Sequence, residues 1–165
     1  MPESEQKISL KEEATHAIEE ARMILPGIQA LFGFQLIAVF NERFEKALSS
    51  SEQGLHLAAT CLVALAAALL MTPAAFQRQA ERGIISGHFV NLASRLICAA
   101  LLPLAAGLAL DIYLIARLIL HSVALAGSIA SVLWLVLIGL WFLYPRVRKG
   151  RKTAFTEMPG RRPAP

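Results

Sequence analysis

The spacing of charges constrains this chain more than any other feature. No Lys, Arg, Asp or Glu occurs in the 19 residues between Arg22 and Glu42, or in the 25 between Glu52 and Arg78. The 21 residues between Arg95 and Arg117 are interrupted only by Asp111, and 28 uncharged residues separate Arg117 from Arg146. About 20 apolar residues carry a helix across a hydrocarbon core of about 30 Å. The four blocks therefore predict four transmembrane helices, near 23–41, 54–76, 96–117 and 121–144.

Soluble helices keep a polar face, and the run from Leu62 to Met71 has none. Composition points the same way: 56% of the 165 residues are hydrophobic and 17% are charged, against about 25% charged in ordinary globular domains. A transmembrane β-barrel needs alternation over segments of about ten residues, and no such period is visible. The expected fold is all-α and polytopic, with four helices in an antiparallel bundle. It divides into an N-terminal amphipathic helix over 1–22, a membrane domain over 23–144 and a basic, largely disordered tail over 145–165.

The first 22 residues carry six glutamates and lack the basic start and short apolar stretch of a secretory signal. The first block is thus expected to be a retained helix. Ser9 and Glu12 fit a capping box that would start the lead-in helix. Ile8, Ala14, Ile18, Ala21 and Leu25 give it a modest apolar stripe, suited to docking on the bundle or on a protein partner. Cys61 and Cys98 fall inside apolar blocks and read as small buried residues. The four histidines, His16, His56, His88 and His121, are scattered over different segments.

Basic residues direct the threading, because cytoplasmic flanks carry the excess of Lys and Arg. The N-terminal segment, the second loop and the C-terminal segment share one side and hold 13 of them, whereas Arg43, Lys46 and Arg117 make 3 on the other. Both termini are expected in the cytoplasm of a multi-pass protein of the cell (inner) membrane. Arg146, Arg148, Lys149, Arg151 and Lys152 crowd the end of the fourth block. Such clusters bind anionic headgroups at about 1 kcal/mol per charge, and they also serve as plain topological anchors. Nucleic acid is not an expected partner, since the positive charge is local and no recognition motif accompanies it. A second copy of the chain or another membrane protein is.

Polar residues inside the blocks are the informative ones. Asp111 stands six residues before Arg117, about 9 Å along a helix. It reads either as an ion or proton site or as a structural partner of Arg43 or Arg117, with Arg43 the better placed. Gln29 and Gln35 carry donors and acceptors that lipid cannot satisfy, so both should turn inward. Gln35 shares a helical face with Glu42. Trp134, in the middle of the fourth block, has an indole N–H that seeks a partner, and it is expected near Gln35. Gly127 with Ser131, and Ala124 with Ser128, stand four apart and permit close helix packing. Pro103 should bend the third helix. No phosphate loop, nucleophile elbow or metal-ligand spacing occurs, so neither a cofactor nor an enzyme is expected.

The run Glu20 to Phe44 (EARMILPGIQALFGFQLIAVFNERF) resembles the first helix of an uncharacterised family of small bacterial four-helix membrane proteins. Gly27, Gln29, Arg43 and Phe44 carry the match, together with the second-block ending LMTPAAFQR, where Gln77-Arg78 stands in place of the family's frequent His-Arg. The resemblance spans about residues 20–145. It implies the four-helix architecture, and some members bear a sodium:proton antiporter label. Two functions follow as expectations: a non-enzymatic structural or accessory membrane protein, and a small cation or proton transporter using Asp111, Glu42 and the glutamines of the first helix.

Overall fold

The computed structural model describes the backbone of residues 3–79 and 87–146, and the side chains of these residues except 3–11 and 43. Its elements are α1 (Glu3–Val39), α2 (Glu42–Ala47), α3 (Ser50–Gln79), α4 (Gly87–Leu120) and α5 (Val123–Ile138), the last continued by a π-helical turn over Gly139–Leu143. Among the described residues four helices are long and apolar enough to cross a membrane, one for each uncharged block.

α1, α3 and α4 overrun the blocks that announced them, whereas α5 and its π-helical turn stay within theirs. A helix does not stop where the apolar stretch stops, because its backbone bonds are internal. Nothing between Glu3 and Pro26 breaks α1, which is already helical at Ser9. The expected capping box at Ser9 is therefore not a helix start. The same Ser-x-x-Glu signature recurs at Ser49, and there it is used. The Ser49 N–H donates to Glu52 Oε2 at 2.9 Å, and the Glu52 N–H donates to Ser49 Oγ at 3.4 Å. These reciprocal bonds open α3. Pro26, Pro73 and Pro103 all lie inside helices that continue through them.

The packing centre is the α3–α4 pair. Ala59, Val63, Ala66 and Leu70 recur at helical spacing on α3 and are buried, facing Ile97, Ala100, Leu104 and Gly107 of α4. Small residues let the two backbones approach, which is how helices associate where lipid removes the hydrophobic drive. The approach is tightest at Gly107, where a Cβ would meet Val63 Cγ2 at 3.0 Å and the Ala59 carbonyl oxygen at 3.2 Å.

α1 lies against both helices through Ile28, with Ile24 and Leu31 partly buried beside it. Its N-terminal half docks further along, where Ala14 packs with Phe89 and Ala93 and the Phe76 and Phe89 rings stack at 6.3 Å. α5 packs chiefly on α4, burying Ala126 and Ala130. A two-residue turn joins α4 and α5: His121 takes a left-handed φ of 53°, and Ser122 Oγ caps α5 by accepting from the Leu125 N–H at 3.4 Å.

The outward surface is apolar, with Phe34, Ile37 and Phe40 on α1 and Val132, Leu135 and Leu140 at the other end of the chain all exposed. In water such a surface would be an aggregation hazard. Against lipid it is the expected exterior.

Candidate functional site

Three helices each deliver a polar side chain to one place. α1 supplies Gln35, α3 supplies His56 and α4 supplies Asp111. Gln35 is only 4% exposed despite its amide. Its Nε2 donates to Asp111 Oδ2 at 2.7 Å, at the short end of the N–H···O range. His56 Nε2 lies 2.9 Å from the backbone carbonyl oxygen of Gln35. A carbonyl can only accept, so Nε2 carries a proton and donates. The His56 ring also meets the Phe44 ring edge-on at 5.2 Å. One turn along, Thr60 Oγ1 donates to the His56 carbonyl at 2.9 Å, the usual way a hydroxyl is satisfied inside a helix.

One atom of this cluster is left over. Gln35 Oε1 is buried and has no hydrogen-bond partner. A cavity of about 280 Å³ is lined by Gln35, His56 and Asp111 and otherwise by apolar side chains, among them Phe34 and Phe44.

Arg117 does not pair with Asp111 as one sequence reading had it. It faces Glu52, Nε to Oε1 at 3.5 Å, without the alignment of a hydrogen bond. Glu52 is held in place by the Ser49 amide and hydroxyl. The ion pair thus ties the start of α3 to the end of α4. The side chain of Arg43 lies outside the described residues, and so do Arg148, Lys149, Arg151 and Lys152; Arg146 is exposed.

Other expectations need correction. Gln29 is exposed rather than turned inward, and Glu42 is exposed at the start of α2; neither lines the cavity beside Asp111. Trp134 is not beside Gln35. It is 41% exposed and lines a separate cleft between α4 and α5 with Gly127, Ser131 and Tyr113. The reason is the order of packing: α1 and α3 meet Asp111 on one side of α4, and α5 covers another. Ser128 Oγ donates back to the Ala124 carbonyl at 2.8 Å, so it spends its proton within its own helix.

His56 is the residue that sequence reasoning passed over. A signal was present. Gln35 and His56 are equally far along the chain from residues 45–46, within α2, and His56 and Asp111 are equally far from residues 83–84, between α3 and α4. When a chain folds back at each connection, such positions fall at one depth.

The fold and the buried polar cluster define a class, that of multi-pass membrane proteins with four candidate crossings. Within it, the chain belongs to a family of unknown function, DUF6328, whose family model matches residues 5–145. No curated protein and no solved structure matches the chain.

Proposed function

We propose that this chain is a non-enzymatic structural or accessory protein of the cell (inner) membrane. Its four long helices run antiparallel, both termini lie in the cytoplasm, and the basic cluster beyond Tyr144 rests on anionic headgroups. The observation that carries the reading is the bond between Gln35 and Asp111. It joins α1 to α4, and His56 adds the tie to α3. Groups so placed are the polar glue of a membrane bundle, worth about 0.6 kcal/mol per contact on average.

The runner-up is a small cation or proton transporter. The acidic side chain beside a cavity favours it, because ionisable groups at membrane depth mark ion pathways. Flux in proteoliposomes separates the two. Ion flux equal to that of empty vesicles, for both the wild type and Asp111→Asn, is expected of the accessory protein. Flux in the wild type that Asp111→Asn abolishes would overturn it in favour of transport. Cross-linking in the native membrane should then recover the accessory protein with a second copy or a stoichiometric membrane partner.

A further inference from the structure

We propose that the cavity between α1, α3 and α4 is a binding site for an organic ammonium ion. The inference concerns occupancy of the site and does not require transport. It rests on which hydrogen-bonding capacity the cluster leaves unspent. A donor of the Gln35 amide is committed to Asp111, and the His56 Nε2–H is committed to the Gln35 carbonyl. Gln35 Oε1, on a residue 4% exposed, accepts from nothing among the described residues. Beside it is the Asp111 carboxylate, whose charge has no Lys or Arg partner among the described residues; Arg117 is engaged with Glu52 instead. Asp111 spends one oxygen, Oδ2, on Gln35, and a carboxylate lining an apolar cavity selects a donor that is also positive.

The walls decide what kind of cation. Phe34 and Phe44 offer aromatic surface, with Ala38, Leu48 and Leu114 completing an apolar lining. Aromatic faces attract ammonium groups, and aliphatic walls match a carbon body. A hard metal cation fits poorly. Calcium takes six to eight oxygens, whereas the one carboxylate lining this cavity is that of Asp111. Among the described residues no three His, Cys, Asp or Glu side chains are grouped to hold a metal. The volume of about 280 Å³ lies at the lower edge of the range for small-molecule sites, roughly 300–1,000 Å³, so the ligand is small. Its N–H groups point at Asp111, and its carbon body lies against Phe34 and Phe44. The same chemistry is carried by a free amine and by the headgroup of an aminophospholipid.

The test uses the full chain in nanodiscs of phosphatidylglycerol, which carries no ammonium group. Benzylammonium is titrated calorimetrically, with benzyl alcohol as its neutral counterpart and sodium chloride as the metal control. Saturable benzylammonium binding is expected, roughly tenfold or more tighter than benzyl alcohol, because the bonds lost involve a charged group. Asp111→Asn should abolish the preference while keeping an acceptor for Gln35. Ala38→Leu should weaken binding by filling the cavity while leaving every polar group in place. Thermal unfolding of both variants within a few degrees of the wild type shows that the fold is intact. Adding phosphatidylethanolamine distinguishes the sources: competition with benzylammonium assigns the site to the lipid headgroup, and no competition assigns it to a free amine. Equal binding of the alcohol and the ammonium would overturn the proposal. So would displacement by equimolar sodium, or an unaltered preference in Asp111→Asn.

Discussion

Gln35 and Asp111 are worth more together than either is alone, because each answers a demand that lipid cannot. Replacing Asp111 by Leu strands the Gln35 amide in the interior. It should cost about 1–3 kcal/mol, the usual penalty for an unsatisfied buried group. Asp111→Asn still offers an acceptor and should change stability by less than about 1 kcal/mol. Unfolding in mixed micelles checks both. A double-mutant cycle with Gln35→Leu and Asp111→Leu should return a coupling of about 0.6–1.7 kcal/mol, and zero coupling would deny that the bond forms in the membrane. At this scale the sequence was readable only in part. The cost of a polar atom in lipid singles out Gln35 and Asp111 from the string alone. It does not say that they meet, nor that Gln29, a turn and a half earlier, stays exposed. Helical phase relative to neighbours decides that, and phase depends on which face of α1 the α3–α4 pair receives.

Between elements, close approach is the controlling quantity. Gly107→Ala places a methyl against Val63 and the Ala59 carbonyl. It should destabilise the protein by about 1–3 kcal/mol, as overpacking does. Gly127→Ala, by contrast, meets nothing within 4 Å, and should be neutral or slightly stabilising through helix propensity. The contrast between the two glycines, measured side by side in thermal unfolding, tests which face of each helix is packed. Ser49→Ala removes the cap of α3 and loosens the hold on Glu52, with an expected loss of about 0.5–2 kcal/mol. Element identity was legible because each uncharged block became one long helix. Element ends were not, since charge spacing marks the membrane and not the helix. α2, only six residues over Glu42–Ala47, is too short and too charged to stand out from a loop.

For the whole molecule the distribution of basic residues predicts the direction of threading. Cysteine labelling in a background lacking Cys61 and Cys98 should find position 50 accessible from outside and position 86 from the cytoplasm. The reverse result would invert the threading drawn from the basic residues. The four crossings themselves come from hydropathy and length, the two properties a bilayer imposes most strictly. Side-by-side order is a different matter. That α5 packs chiefly on α4 while α1 serves both α3 and α4 depends on surface shape that no spacing rule encodes.

This division of labour bears on how the chain is assembled. Gln35, His56 and Asp111 all precede α5, which begins at Val123. The bonds among them can close as soon as α4 has entered the bilayer, before the last helix has left the ribosome. α5 carries no side chain of that cluster and its span is the most apolar of the four, so it can partition unaided and settle on a finished surface. Such a chain can be assembled in two stages. The first is cooperative, because three segments must arrive together to hide their polar atoms. The second is the simple addition of a greasy segment to a preformed wall.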